Sequence, residues 1–462
     1  MIRILIKLFA VFVFGVFVLS VSAQGIHGQG IEILQEDISE MSDRLDKVET
    51  KSILDRVIVG GEFRTRVDYF RYEDTTASLD PTTIGAEHDS NTKDIWTNRL
   101  RFNLEADITD NLAFYAWLTY FKLWGEAAFD RTPLDINYTS IPDSEGGIHI
   151  ERAYFEYVLP DLNLCLTAGR LPTTEGPPGE LRENRARKAT WGKMQGDLEL
   201  DGIIVNLFLD EWIDLNQLAI RFIYSKVSQN WLEYRGFDMK DTRVPALVIE
   251  SEIPRIENSV LQIGYTMVVD FPLIIYDIPG MEVANLPNEE GKLDFLFFHI
   301  QMNDINKDGL DWFFSYGHFN TNPPSEGIVF TNGYEIGMFG DNLSGNLGQD
   351  RSGYAIYSGV RYKLPIESWK YPKVGFEYTH ASKYWLGGFT SSGSGELINK
   401  LHVIGDTYEL YYIQPLDKKH TFLRIGGIFM ESDYENPFVI FGTMSKSEMT
   451  VLNGYLLMDV LF

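Results

Sequence analysis

The sequence predicts an all-β fold: a transmembrane antiparallel up-and-down β-barrel of about 16 strands, preceded by a short N-terminal α-helical, coiled-coil segment. Three observations predict it. From Val57 onward apolar and polar residues alternate with period 2, the connections between these runs alternate short and long, and the chain opens on a secretory-type signal and closes on an aromatic, Phe462.

Composition agrees. Aromatic residues make up 14% of the chain, yet mean hydropathy is only -0.13. Polar lumen-facing residues that alternate with lipid-facing ones cancel them in the average, whereas helical spans would not. After the first residues no apolar stretch of about 18 residues occurs, so any spanning segments are strands. With 40 Lys+Arg against 66 Asp+Glu the formal charge is -26, which repels nucleic acid and excludes it as a partner. Cys165 is the single cysteine, so no disulfide framework, CxxC metal site or haem attachment is expected, and no cofactor.

Residues 1–23 are expected to be a cleaved signal peptide. Arg3 and Lys7 give the positive start, Leu8 to Leu19 the apolar run, and Val21-Ser22-Ala23 the small residues before Gln24. Residues 24–56 form the expected helical segment. Ile31, Leu34, Ile38, Met41, Leu45 and Val48 make an a/d heptad seam with charges on the other faces. Fewer than three heptads are marginal alone. The seam therefore either joins subunits, giving a homotrimer, or docks on the chain's own barrel or in its pore.

The barrel is expected over residues 57–462. Val59, Gly61, Phe63, Thr65, Val67 and Tyr69 form one face of the first strand; Glu62, Arg64, Arg66 and Asp68 form the other. Leu100, Phe102, Leu104, Ala106 and Ile108 alternate with Arg99, Arg101, Asn103, Glu105 and Asp107 in the second. Charges at this density do not sit unpaired in a dry core, so a water-filled lumen is expected. Short joins fall at 109–111, 160–163, 210–216, 254–259, 304–309, 365–372 and 416–420. Long segments fall at 73–95, 125–148, 172–200, 228–244, 272–291, 320–350, 386–406 and 432–447. Seven short and eight long connections give sixteen strands, with both ends on the short-turn side. In the last strand Leu452, Leu456, Met458, Val460 and Phe462 share a face opposite Asn453 and Asp459, and Phe462 closes the barrel beside the first strand. Aromatics near strand ends, such as Tyr69, Trp117 to Trp124 and Trp312 to Tyr316, suit interface girdles; a sugar-stacking track is the sharper alternative.

The long third loop, 172–200, is the candidate constriction. From Arg170 to Lys193 there are six basic and three acidic residues, against the trend of the chain. Arg170, Arg182, Arg185 and Arg187, with Arg64, Arg66, Arg99, Arg101 and Arg152 on the wall, are expected to act as an electrostatic filter, because a guanidinium stays charged and offers a planar fork to anions. The alternative is that they pair with Glu62, Asp68, Glu105 and Glu156 and simply satisfy a polar lumen. Asp304, Asn306 and Asp308 match the start of a calcium loop, but position twelve is Ser315, so a hairpin turn is expected there. His299 and His318 lie on strand faces that read as apolar. No HExxH or GxSxG occurs, and no enzyme is expected.

Several strings carry a family resemblance: Trp96-Thr97-Asn98-Arg99-Leu100-Arg101, Asn111 to Tyr115, Glu151-Arg152-Ala153-Tyr154-Phe155 and Gly169-Arg170-Leu171-Pro172-Thr173-Thr174-Glu175-Gly176-Pro177-Pro178. Over most of the mature chain they resemble uncharacterised porin-like outer-membrane proteins of anaerobic and sulfur- or metal-metabolising proteobacteria. The heptad-plus-barrel layout also resembles trimeric porins for oxyanions. The resemblance implies an outer-membrane, porin-like barrel preceded by a short helical segment, in a Gram-negative cell and in contact with lipid and lipopolysaccharide; it supplies no solute. The terminal aromatic resembles the signal read by the barrel-assembly machinery. The expected function is passive diffusion of small hydrophilic solutes, with a preference for anions expected from the arginine cluster. The alternative function is a barrel scaffold, a sheath for an electron-transfer partner or a surface binding platform.

Overall fold

The computed structural model describes residues 56–74, 88–90, 94–124, 148–226, 241–271, 283–285, 291–305, 307–337, 340–386, 399–401, 403–417, 420–435 and 445–462. The expected signal peptide and heptad seam lie outside the described residues.

Sixteen antiparallel strands close into a barrel. In chain order they are β1 (Val57–Asp74), β2 (Asp94–Thr109), β3 (Leu112–Leu123), β4 (Ile148–Leu159), β5 (Leu164–Arg170), β6 (Asp201–Phe208), β7 (Ala219–Lys226), β8 (Arg243–Ile253), β9 (Ile256–Phe271), β10 (Gly291–Ile305), β11 (Leu310–Asn322), β12 (Ser352–Lys363), β13 (Lys373–Ala381), β14 (Gly405–Pro415), β15 (Thr421–Glu435) and β16 (Ser445–Leu461). Each pairs with the next, and β1 pairs with β16 in a register that sets Arg64 opposite Asp459. The Phe462 carbonyl accepts the Gly61 N–H at 2.7 Å and its N–H is donated to the Gly61 carbonyl at 2.9 Å, so the last residue does lie on the closing seam.

The wall obeys the period that predicted it. On β1 the Glu62, Arg64, Arg66 and Asp68 side chains are buried inward while Phe63 and Tyr69 are exposed outward. The same outward row of large apolar side chains continues around the barrel, through Phe102, Phe222, Ile263, Leu296, Val360, Phe376, Leu410, Ile425 and Leu456. The short joins fall within two residues of the expected bounds except for one. Residues 254–259 form a turn of only 254–255, because Arg255 and Asn258 take positive φ (69° and 57°) and β9 begins as an irregular strand at Ile256.

The lumen is not the uniformly water-filled space the charges suggested. Along β10 and β11 the inward residues Leu293, Phe295, Phe297, Phe313 and Phe319 are buried. They pack with Leu181 and Met194 of the third loop, Ile328, Phe330 and Ile336 of the β11–β12 connection, and Trp385, Leu386 and Leu401 of the β13–β14 connection. One side of the barrel interior is therefore a dry core, stabilised by apolar burial, and the other side is ionic. The close approach of the loop requires glycine at two places. A Cβ on Gly192 would lie 2.2 Å from the Phe297 ring, and one on Gly264 of β9 would lie 2.5 Å from the Gln195 side chain.

Candidate functional site

The third loop, 171–200, leaves β5 and returns to β6 through the interior. Its neck is held by the Leu171 N–H donated to the Leu200 carbonyl at 2.7 Å and by the Thr173 hydroxyl on the Leu198 carbonyl. Pro177-Pro178 cannot donate to a ladder. The chain turns there into a one-turn helix, α1 (Gly179–Glu183), which stops at Asn184 in the left-handed region (φ 52°). Every residue of α1 is buried.

Three groups of bonds tie this loop to the wall. The first centres on Glu62. Its carboxylate takes Arg99 at 2.7 Å, Arg101 at 2.9 Å, Lys188 at 3.3 Å, and Arg185. Arg101 also reaches Glu151 at 2.8 Å and the loop's Glu175 at 3.0 Å. Arg64 forms a two-pronged pair with Asp459 (2.8 and 2.7 Å) and a further one with Glu183. Arg152 donates to the Thr174 hydroxyl at 3.0 Å and the Lys188 carbonyl at 2.7 Å, and lies 3.7 Å over the Trp117 ring.

The second group centres on Glu409. It takes Arg182 at 3.2 Å, the Tyr455 hydroxyl at 2.6 Å, and Lys400, which also binds Glu377. Arg424 donates to the Arg182 carbonyl at 2.6 Å and to Glu183 at 3.0 Å. The third group spans the remaining wall. Glu250 takes Arg187 at 2.5 Å and Arg221 at 3.1 Å, Gln301 donates to Glu180 at 2.7 Å, and Lys373 donates to Asn184 at 2.6 Å. The loop thus bonds to strands on both sides of the barrel. At this level Arg99, Arg101, Arg152 and Arg424 are each under 2% exposed, so the loop covers the arginines of the wall it lies against.

The network favours ionisation of Glu175 and Glu183, whereas burial pushes the Glu180 and Asp197 carboxyls up. Burial opposes ionisation of Glu175 and Glu183. The nearby guanidiniums (Arg101 for the first, Arg64 for the second) outweigh it and hold both carboxyls below the usual carboxylate range. Burial pushes the Lys188 ammonium well below its usual value, with Glu175 opposing and Arg185 adding repulsion.

The structure sorts the residues read from sequence. Arg64, Arg99, Arg101, Arg152, Arg182, Arg185 and Arg187 meet at the loop together with Glu62. Arg66 stays on the wall, paired with Asp68 at 2.6 Å. Arg170 does not join them. It lies on the outward side of β5, level with Ala153, and pairs with Glu199. Glu105 and Glu156 face inward but take no arginine among the described residues. Asp304 accepts the Gly309 N–H at 2.8 Å, closing a hairpin turn; Asp308 is exposed in that turn and Asn306 lies outside the described residues. No group of three or more His, Cys, Asp or Glu that would hold a metal ion occurs among the described residues. His299 is buried against Phe297 and bonded to Ser315 at 2.8 Å, on an inward face whose apolar character the sequence showed.

Sequence reasoning missed Glu151 because alternation points it outward. A β-bulge sets Trp117 opposite Arg152 and Leu118 opposite Ile150, so the extra residue Glu151 turns inward beside Arg152. It also missed Glu175, Glu183, Glu250, Glu377, Lys400, Glu409 and Arg424. Inward parity marks Glu409 and Arg424 on their strands, but nothing in the sequence pairs them with the loop.

Fold and site together define a closed sixteen-stranded barrel with an ion-paired loop folded across its interior. The family described as a protein of unknown function (DUF3373) matches residues 89–248 and 284–456, and the chain belongs to that family. No curated protein matches the chain. Among solved structures, Pseudomonas putida OprB at high pH is similar with TM-score 0.49 and 10% identity, over 89% of this chain and 96% of that one. Salmonella typhi OmpF in complex with daunomycin gives TM-score 0.46 and 10% identity over 88% and 97%. OmpT of Vibrio cholerae, an outer membrane protein in its loop L8 deletion form, gives 0.42 and 10% over 88% and 99%.

Proposed function

We propose that the chain is an outer-membrane channel for small hydrophilic solutes, with residues 171–200 as its constriction. The outward apolar row around the whole barrel supports membrane embedding, because a soluble protein does not leave such a belt exposed. The signal-like residues 1–23 support export, and the heptad seam at 31–48 supports a trimer, which native mass measurement in detergent tests. The observation that carries the reading is the loop itself, bonded to Glu62 and Asp459 on one wall and to Glu409 and Glu250 on others. What passes a wide barrel is set by what narrows it. A sheath needs a lumen cleared of the third loop, so a loop bonded across the interior speaks against that reading.

The arginines do not leave a free positive field. The loop and wall guanidiniums named above lie against carboxylates or backbone carbonyls, so an anion preference has no support from them. The test is single-channel recording in planar bilayers. The wild-type chain should show small unitary steps, and replacement of residues 176–196 by a short Gly-Ser linker should enlarge them severalfold. Silent bilayers with both proteins would sink the channel reading.

A further inference from the structure

We propose that the third loop and the wall beside it form a subsite for a small neutral ring bearing a hydroxyl, in a recess between Trp191 and Gln195 of the loop and Val268 and Phe295 of the barrel. The recess falls where two apolar clusters meet without closing. Val244, Val268 and Phe295 belong to the dry core, whereas Trp191 and Leu200 belong to a second cluster at the neck of the loop. Between them lies about 360 Å³ of free space, part of it open to solvent. Val268 stands near the end of β9 and Phe295 near the start of β10, so the recess lies toward the long connection between those strands.

Two buried polar atoms on the lining are left unpaired. Trp191 is 3% exposed and its indole N–H has no acceptor among the described residues; Gln195 is 5% exposed and its amide oxygen has no donor. Local structure holds both in place. The Gln195 and Gly196 N–H groups donate to the Gly192 carbonyl at 2.9 and 3.3 Å, and this turn folds both residues back beside Trp191. The indole nitrogen faces Gly196, where a Cβ would lie 3.1 Å from Nε1. The Gln195 amide nitrogen donates to the Thr266 hydroxyl at 2.7 Å, and Gly196 and Thr266 also line the recess. A buried donor and a buried acceptor left unmade both cost free energy, and native interiors hold few of them.

These features select the class of ligand. A hydroxyl is the smallest group on a ring that both accepts from the indole N–H and donates to the amide oxygen. The lining carries no charged side chain, so an ion would lose its water there without gaining a partner. The apolar walls and the two ring faces suit a ring body. The space is at the small end of ligand pockets, about 300–1,000 Å³, which favours a single ring. An ordered water is the competing occupant, since it too needs a donor and an acceptor.

That the recess is a station on a permeation path rests on the channel reading; its binding of the ring does not. The experiment is titration of phenol, at neutral pH, into the detergent-solubilised full chain carrying nitrogen-labelled tryptophan. The readout is the Trp191 indole N–H resonance, assigned by its loss in W191F. Phenol should shift it saturably, and benzene, which lacks the hydroxyl, should bind about tenfold more weakly. Q195M removes the acceptor and should weaken phenol about fivefold, with heat-modifiable gel mobility reporting folding. Should Q195M fail to fold, G196A sets one methyl against the indole nitrogen and should weaken phenol to a similar extent. An unmoved resonance, meaning an ordered water only, overturns the proposal. So does equal affinity for benzene, or equal phenol affinity in a folded variant. Phenol block of bilayer currents then tests the path: binding without any conductance overturns the channel reading and keeps the subsite.

Discussion

Glu62 is the carboxylate on which the loop's docking is most concentrated, and Glu62→Gln isolates its effect. Four cations meet it: Arg99 and Arg101 from β2, and Arg185 and Lys188 from the loop. The wall arginines keep Glu151 or Glu175 after the substitution. Among the described residues Arg185 keeps only Asp459, at 3.2 Å, and Lys188 keeps no carboxylate within ion-pair distance. Removing one partner from a buried pair costs about 3–5 kcal/mol. Here the cost falls on docking of residues 185–188 rather than on the hydrogen-bonded wall. A loss of about 3 kcal/mol raises the open fraction of the loop about a hundredfold, and cleavage that samples a fast opening follows that fraction. The loop carries its own protease sites at Arg185, Arg187, Lys188 and Lys193. Trypsin should therefore nick residues 185–193 of the E62Q protein about a hundred times faster than wild type, with the barrel still heat-modifiable on gels. Asp68→Asn is the control, since Asp68 binds Arg66 and Asn453 on the wall and nothing in the loop. Equal cleavage of E62Q and wild type, or equal acceleration in D68N, would refute the reasoning.

Gly192→Val should place a branched side chain where the Phe297 ring already sits, and Phe297 is 1% exposed and cannot swing away. Overpacking of this kind costs about 1–3 kcal/mol, read as a lower unfolding temperature and faster exchange in residues 190–196. Lys400→Met leaves Glu377 and Glu409 buried without their shared ammonium, and hydrogen exchange at residues 399–404 should accelerate while the β14–β15 ladder stays protected. Glu175 and Glu183 have folded pKa values depressed below the ordinary 4.5, so their contribution to docking is complete above that pH and is lost as pH falls through the depressed values. The step of conductance that depends on these two carboxyls, read as the difference between wild type and E175Q/E183Q, should then be unchanged from about pH 8 to about pH 5 and be lost only in stronger acid. A loss already at neutral pH would contradict the assignment.

The sequence by itself determined the barrel. Side-chain alternation and turn chemistry are local, set by the two-residue repeat of a strand and by residues such as Asn163 that tolerate left-handed backbone. They were enough to count the strands, to place the turns and to set the Arg64 and Arg99 side chains inward. The closing position of Phe462 followed from that even count. Only the tertiary structure decided what those charges do. Arg64 finds Asp459 across 395 residues, and Arg182 finds Glu409 across 227. No local pattern encodes such partners, because barrel closure and the path of one irregular loop bring them together. A single bulge reversed Glu151, where parity carries no warning. The dry side of the lumen was hidden for the same reason. Leu181, Trp191 and Met194 follow no period, and their burial became visible only once the loop had a wall to lie against.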